Sequence, residues 1–452
     1  MNLTRRKLLL ALGAGAFSLQ LPRAASAATM HGGYRALVCV GLQGGNDGNN
    51  MIVPMDDRYA DYAAVRGDYT ANSSMLGIPK QMLVPLPGAS GQAEFGLHPD
   101  LAPLRDLWDA GSLAPIFNLG TLVQPMTKAD YVSNLKPRPA QLMSHPDQQR
   151  QWQTTSSLYE SRTGWAGRLA DALGAMNGGS RVPVFMGVSG SGLLGIGNAS
   201  SPLLIPESGG FGLDKFGGNY QTAMDNALNS LAVTKNASTL AGSAQTIFSD
   251  GIAASALVSP LLTASTPIDS LFAAYGNSIS RQLWQVAKVI AGRGSLSGVQ
   301  REIFFVSLAS FDTHNSQIDR QGSLFRQLAP ALRAFHDAMT LLGTSSAVTT
   351  FTTSDFGRTL RSASGGGTDH AWGNHHLVMG GAVKGRTTYG QFPQLTLGGP
   401  DDVGSDGRWL PTTSVDQYAA TLATWMGAKS SDLSTIFPSL ANFGNTPLGF
   451  LA

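Results

Sequence analysis

The stretch YRALVCVGL, residues 34–42, followed by QGGNDGNN, residues 43–50, decides the fold class. The first part is a short, continuous apolar run rich in β-forming residues, which is typical of a strand buried on both faces of a parallel sheet. The second part is a loop of glycine, asparagine and aspartate that contains Asp47. Because ligands bind at the carboxyl ends of the strands in open α/β sheets, we expect this loop to lie at a functional site.

Strand and helix patterns alternate from this stretch to the end of the chain. Apolar runs predict further strands at residues 112–119, 182–188, 302–308, 347–353 and 377–383. Helical spacing predicts helices at residues 101–110, 164–173, 324–342 and 417–426. The order predicts an α/β fold, a doubly wound and mostly parallel sheet flanked by helices. Residues 189–220 are predicted to be a long loop and 221–300 mostly helical, so we expect an insertion at about 189–300.

The N-terminus has the features of an export signal. Arg5 and Arg6 precede an apolar run, and Ala25-Ser26-Ala27 is a small-residue cleavage pattern. The run is shorter than the 20 or so apolar residues that a membrane-spanning helix needs, so no stable membrane span is predicted. The paired arginines resemble a twin-arginine signal, which the twin-arginine export machinery reads; an ordinary secretory leader is the alternative. We predict that residues 1–27 are removed, that residues 28–452 form a single domain, and that the protein is periplasmic or secreted.

The charge and the cysteine content bear on the partners and on the disulfides of the chain. Removing the leader takes away four positive charges, and the formal charge falls from +2 to −2; these charges belong to Arg5, Arg6, Lys7 and Arg23. A mature chain so close to neutral does not indicate a nucleic-acid partner. Cys39 is the single cysteine, so the chain has no internal disulfide, and its apolar surroundings predict a buried side chain.

Three aspartates follow three predicted strands: Asp47, Asp312 and Asp355. At one edge of a parallel sheet, three carboxylates repel one another unless a cation neutralises them. His314 follows Asp312, and His370 follows Asp355, with His375 and His376 further on. Carboxylate and imidazole ligands together suit zinc or manganese better than magnesium alone. The alternative is that each aspartate is a turn former or a helix cap.

A possible nucleophile lies in the stretch SHPDQQRQW, residues 144–152, which leads into a predicted helix. Anions bind readily at the start of a helix, and a divalent metal activates a coordinated hydroxyl, so Ser144 is a candidate nucleophile. The alternative is that Ser144 is only the N-cap of this helix. Candidates for binding an oxyanion are Arg150, Arg168 and Arg358.

The motifs taken together resemble a large bacterial family of unknown function that is described as sulfatase-like, within the alkaline phosphatase and sulfatase superfamily. The resemblance covers nearly the whole mature chain and depends on the twin-arginine leader, GGNDGNN, SHPDQQ, FDTH, SDFGRT and GTDHAWGNHH. It implies an alkaline-phosphatase-like fold and a pair of divalent ions (zinc, manganese or calcium) that flank a nucleophile. One ion would be held by Asp47, Ser144 and Asp355, and the other by Asp312, His314 and His370. His375 and His376 would lie close to the substrate.

The resemblance also implies a reaction, namely hydrolysis of a phosphate or sulfate ester of a small molecule or glycan. Ser144 would attack the ester, while Arg358 and Asn46 or Asn49 would hold its oxygens. Phe356 stands where the superfamily usually carries a histidine or asparagine ligand, so the site would hold one ion, or Asp369 or His145 would replace that ligand. In SHPDQ the last residue, Gln148, replaces the arginine of the sulfatase signature, which indicates an unconverted serine.

Two functions therefore remain open at this point. The first is an exported metal-dependent hydrolase of phosphate or sulfate esters, which the retained aspartates, histidines and Ser144 favour. The second is a non-catalytic periplasmic binding or surface-assembly protein that keeps the fold, which Phe356 favours, since a fold alone does not establish chemistry.

Overall fold

The computed structural model describes residues 33–452 except for 89, 159, 189, 191, 213–221, 224–225, 228–229, 231–238 and 445–447. The predicted leader, residues 1–27, and part of the predicted insertion lie outside the described residues. Arg35–Ala452 form one compact unit.

The described residues contain eleven strands in two sheets. In chain order the strands are β1 (Arg35–Leu42), β2 (Ile52–Pro54), β3 (Val84–Pro87), β4 (Ala93–Leu97), β5 (Leu113–Gly120), β6 (Phe185–Val188), β7 (Leu203–Ile205), β8 (Arg301–Leu308), β9 (Val348–Ser354), β10 (Asn374–Met379) and β11 (Thr413–Ser414). Eight form the main sheet, in the order β11-β5-β10-β9-β1-β8-β6-β7, and the other three form a small sheet, in the order β2-β4-β3. In the main sheet only β10 is antiparallel to its neighbours. The predicted α/β class and mostly parallel sheet are confirmed.

Helices flank the main sheet and connect its strands. The α-helices are α1 (Gly48–Met51), α2 (Tyr59–Arg66), α3 (Arg105–Asp109), α4 (Lys128–Val132), α5 (His145–Thr154), α6 (Trp165–Leu173), α7 (Thr239–Thr263), α8 (Asp269–Phe272), α9 (Ser278–Gly292), α10 (Gln317–Leu341), α11 (Val415–Met426) and α12 (Ser430–Ile436). By length and composition alone, one segment of the described chain, Ala244–Thr263 in α7, is apolar enough to cross a membrane. One such helix is weak evidence, and the absence of a stable span remains a prediction.

The register of three central strands positions the candidate site. β1 pairs in parallel with β8 on one side and β9 on the other, and Leu42 is level with Leu308 and Ser354. Apart from Arg35, Arg301 and Glu302 at the strand starts, the residues of these strands are apolar or small and almost all buried, which fits strands covered on both faces. The loops that follow these three strands therefore leave the sheet at the same edge, as the sequence predicts. Because β5 runs in the same direction, the connection from β5 to α5 begins at this edge as well.

Among the boundaries that differ from the sequence prediction are those of β7, α10 and β10. β7 lies inside the predicted loop at 189–220, where it pairs with β6 at the edge of the sheet. α10 begins at Gln317 rather than at residue 324, because the backbone N–H groups of Ser316 and Gln317 donate to Gly365 and Gly366 and fix its first turn. β10 begins at Asn374, three residues before the predicted strand. In each case the residues that fix the boundary belong to another part of the chain, so the local apolar pattern does not reveal the boundary.

Candidate metal centre

Four side chains from three separate segments converge at the carboxyl edge of the sheet. Asp312 and His314 lie in the loop after β8, and His370 lies in the connection from β9 to β10. His145 is the first residue of α5. From the sequence, His145 is only a possible substitute ligand. The structure brings it together with Asp312 and His370, which makes it a full member of the cluster.

Several of the potential ligand atoms lie close to one another. His314 Nε2 lies 3.0 Å from both His370 Nε2 and Asp312 Oδ1. The distance to Asp312 Oδ1 is 3.5 Å from His370 Nε2 and 3.6 Å from His145 Nε2. Tetrahedral ligands at the usual zinc distances of about 2.0–2.1 Å lie roughly 3.3 Å from one another. His145, Asp312 and His370 form a triad whose potential ligand atoms all lie within 4.8 Å of one another, and His314 Nε2 lies close to two of its members.

The other ring nitrogen of each histidine faces an acceptor. His145 Nδ1 lies 2.7 Å from Asp355 Oδ2, His370 Nδ1 lies 2.8 Å from the carbonyl oxygen of Met143, and His314 Nδ1 lies 3.5 Å from Asp369 Oδ1. A carbonyl oxygen only accepts, so Nδ1 of His370 carries the proton and its Nε2 has a free lone pair. Metal-binding histidines are usually oriented in this way by a carboxylate or carbonyl.

The electrostatic environment favours the metal-binding protonation states of two candidate ligands, His370 and Asp312. Burial lowers the pKa of His370, and the charge of Arg358 lowers it further, so the ring is neutral. Burial raises the pKa of Asp312, but the hydrogen bond and charge of Arg358 outweigh it, and the net pKa is about 2. His145 Nε2 is buried and has no hydrogen-bond partner among the described residues. A neutral imidazole and an ionised carboxylate are the forms that bind a metal.

Asp355 orients His145 instead of joining the ligand atoms. It is buried, and its Oδ2 also accepts from Gln149 Nε2 at 2.8 Å and from the backbone N–H of Gly44 at 3.1 Å. Gln149 is one helical turn after His145, so both side chains lie on the same face of α5. The spacing His-x-x-x-Gln at a helix start is the sequence signal that would have revealed this pair.

Asp47 lies apart from the cluster, in a buried ion pair. It caps α1, and its carboxylate accepts hydrogen bonds from the Arg66 guanidinium and, at 2.5 Å, from Gln317 Nε2. The side chains of Asp47 and Arg66 are both 0 % exposed. The cation that the sequence predicts beside Asp47 is therefore a guanidinium in this structure. This arrangement supports one metal position at the edge of the sheet.

The residues predicted to hold substrate oxygens are bonded within the protein. Arg358 is fully buried, and besides Asp312 it donates to four backbone carbonyl oxygens, those of Gly44, Gly45, Phe311 and Thr368. Asn46 is also fully buried; its amide donates to Met51 Sδ and accepts from Gln321. Both side chains hold the loops of the site together.

Ser144 is partly exposed and precedes His145 directly. It occupies the N-cap position of α5, but its side chain makes no capping hydrogen bond to the helix backbone. Its Oγ donates instead to Asp147 Oδ2 at 2.5 Å. The Ser144 hydroxyl therefore does not cap the helix through its side chain.

Three aromatic side chains near the site pack inside the protein. The ring of Phe356 packs on both His145 and His370, with centroid distances of 4.6 Å in each case. His375 and His376 lie in the buried strand β10, and burial lowers the pKa of each to about 3. Both side chains are buried because β10 begins before them, and their approach to a substrate stays a prediction.

A pocket that the sequence does not indicate lies between α5 and the carboxyl ends of β1 and β9. Its volume is about 440 Å³, counting the part that is open to solvent. Asp355 and Gln149 line one part of it, and the buried rings of Trp152, Trp165 and Phe305 line another. An aromatic pocket thus adjoins the carboxylate that orients His145.

Comparison with known proteins gives a family. The crystal structure of Ps i-CgsB in complex with k-i-k-neocarrahexaose is similar over 92% of this chain and 77% of that chain, with 11% identity and a TM-score of 0.35. The crystal structure of Ps i-CgsB has the same coverage and identity and a TM-score of 0.34. No curated protein matches the chain. The model of the family described as protein of unknown function (DUF1501) matches residues 34–402, and the chain therefore belongs to this family.

Proposed function

We propose that the protein is an exported metal-dependent hydrolase of phosphate or sulfate esters, with an alkaline-phosphatase-like fold and a single divalent ion. The ion would be held by His145, Asp312, His314 and His370, and zinc suits three imidazoles and one carboxylate best. One observation carries the proposal: the four ligand atoms lie 3.0–3.6 Å apart along the measured pairs, while the far nitrogens of the histidines face Asp355, Met143 and Asp369.

A divalent ion supplies Lewis acidity, which stabilises negative charge on an ester oxygen and lowers the pKa of a nearby hydroxyl or water. The residues of the chain orient the groups around it. Asp355 fixes the ring of His145, and Arg358 fixes the carboxylate of Asp312 and keeps it ionised. These charges are buried or half-buried, and interactions between charges are stronger there than in water.

Ser144 is the proposed nucleophile. Its hydroxyl already donates to Asp147 Oδ2, so this carboxylate is placed to receive the proton as Oγ attacks phosphorus or sulfur. The attack breaks the bond to the ester oxygen and leaves the group on Ser144, and a water then hydrolyses that serine ester. The ester would belong to a small molecule or a glycan, and the pocket beside Asp355, with about 40 Å³ of enclosed space, would receive only a small group of it. We also propose that the twin-arginine machinery exports the folded chain to the periplasm or beyond.

A second candidate function is a non-catalytic binding or surface-assembly protein. The observation that favours it is that Arg358 and Asn46, the residues expected to hold ester oxygens, are buried and bonded within the protein. A site that keeps its metal but cannot hold the ester oxygens would bind a ligand without hydrolysing an ester.

Metal titration tests the centre directly. The purified mature protein should bind one equivalent of zinc by calorimetry and elemental analysis. His145→Ala and His370→Ala should each weaken binding by roughly tenfold or more, because each removes one of four ligands. His336→Ala is the matched control, since His336 lies on α10 outside the cluster, and it should bind zinc like the wild type. A folded wild-type protein that binds no divalent ion would rule out the proposed centre.

Ser144→Ala separates the two candidate functions. Turnover of aryl phosphates or sulfates should fall by about a thousandfold or more, since removal of a nucleophile leaves only binding and electrostatic catalysis. Zinc affinity should stay unchanged, because all four ligands remain. The control is Ser133→Ala, an exposed serine in the same connection from β5 to α5. Full activity in Ser144→Ala excludes the nucleophile, and a zinc-loaded wild type inactive on all these esters favours the binding protein.

A further inference from the structure

The buried amide of Gln317 joins the two loops that carry three of the four proposed metal ligands. Gln317 is the first residue of α10 and is 0 % exposed. Its Oε1 accepts a hydrogen bond from Thr313 Oγ1 at 3.0 Å and another from Thr368 Oγ1. Thr313 lies between the two ligands of the β8 loop, and Thr368 lies two residues before His370. One carbonyl oxygen is thus shared by both ligand loops.

The other end of the same amide is held by the buried ion pair. Gln317 Nε2 donates to Asp47 Oδ2, and Asp47 is fixed by the guanidinium of Arg66. Two backbone hydrogen bonds support the bridge: Gln317 N–H donates to Gly366 at 2.8 Å, and Thr368 N–H donates to Thr313 at 3.1 Å. The position of the amide is therefore fixed independently of the metal ligands.

Only an amide satisfies both ends of this bridge. The carbonyl oxygen must accept from two hydroxyls, while the nitrogen must donate to a carboxylate. A glutamate of the same length would direct a second negative charge at Asp47, and a methionine would fill the space without bonding to either end. Because all the groups are buried, a lost partner cannot be replaced by bulk water.

We propose that Gln317 is a positioning residue that sets the separation of His314 and His370 for the metal ion, through Thr313 and Thr368. This inference rests on the proposed metal centre. Residues that orient ligands typically change metal affinity by about 10- to 100-fold when they are mutated. Gln317 bonds to threonines that neighbour the ligands in sequence, and not to the ligands themselves. We therefore expect the lower end of this range, about a tenfold loss of zinc affinity.

The test uses the full mature chain and two readouts other than activity. Zinc affinity is measured by competition with a chelator, and ligand geometry by the visible absorption of the cobalt-substituted protein. We expect Gln317→Met and Gln317→Glu to bind zinc about tenfold more weakly and to shift the cobalt bands. The double variant Thr313→Val/Thr368→Val should do the same, since it removes both hydroxyl donors and leaves Gln317 in place.

Gln321 provides the matched control. It lies one turn further along α10, is equally buried, and donates to Asn46 Oδ1 and to the carbonyl oxygen of Asp47 instead of bonding to the two threonines. Gln321→Met should destabilise the fold to a similar extent, yet keep zinc affinity within about twofold of the wild type. An equal loss of affinity in this control would show general loosening and overturn the positioning role.

The remaining outcomes also decide the question. Gln317→Met with wild-type zinc affinity and an unchanged cobalt spectrum overturns the inference while leaving the metal centre intact. If Gln317→Glu does not fold, the threonine double variant decides. A wild type that binds no metal removes the centre and this inference together.

Discussion

The buried pair of Asp47 and Arg66 allows a quantitative test of how strongly the two charges stabilise each other. In addition to Asp47, the Arg66 guanidinium donates to the side chain of Asn50 and to the carbonyl oxygens of Thr359 and Leu360. Arg66→Met leaves a carboxylate buried and uncompensated, which typically costs about 3–5 kcal/mol. Because three further acceptors lose their donor, we expect the upper end, about 5 kcal/mol.

A double-mutant cycle separates the pair from its surroundings. Asp47→Asn alone strands the guanidinium and should cost about 3–5 kcal/mol. The double variant Asp47→Asn/Arg66→Met contains no uncompensated charge, so its cost should be at least about 2 kcal/mol below the sum of the single costs. The measurement is the free energy of unfolding from urea titrations at pH 7. Additivity to within about 0.5 kcal/mol would refute the reasoning, because it would mean that the two charges do not interact.

Two further predictions concern pH and export. Burial raises the pKa of Asp416 to about 7, so between about pH 4 and pH 7 the folded chain holds a proton that the unfolded chain has lost, and stability falls with rising pH by about 4 kcal/mol in all. Urea titrations at pH 5 and pH 8 should show the larger part of this fall, about 2.5 kcal/mol, in the wild type and not in Asp416→Asn; parallel changes in both proteins would contradict the assignment. Changing Arg5 and Arg6 to lysine should trap the precursor in the cytoplasm, as followed by cell fractionation and immunoblotting. Normal export of the wild type from a strain that lacks the twin-arginine machinery would disprove the route.

The sequence predicts the sheet edge well because its signals there are local. The apolar runs of β1, β8 and β9 fall within a residue or two of the observed strands, and the loops after them do meet. The placement of Asp312, His314 and His370 together follows from that topology. No local pattern, by contrast, shows which partner a buried polar side chain finds. Asp47 pairs with Arg66, 19 residues later, and β10 begins early because its partners are β5 and β9.

The prediction of Arg358 as a substrate contact illustrates the same limit. An arginine in a glycine-rich loop has a charge suited to an ester oxygen, and the sequence does not show which acceptors it finds in the folded chain. The folded chain supplies five, most of them backbone carbonyl oxygens of loops after other strands. His145 shows the reverse case, since its role becomes visible only when α5 places it against Asp355.

The distances along the chain between the ligand segments have a kinetic consequence. The hydrogen bond from His370 to Met143 joins residues 227 apart, and that from His145 to Asp355 joins residues 210 apart. Contacts this distant form slowly, because the chain entropy of closing long loops is lost before the contacts stabilise anything. We therefore expect the cluster to assemble late in refolding, after the central strands have paired. Zinc supplied during refolding would then bind in the slowest phase and would report that the last native loops have closed.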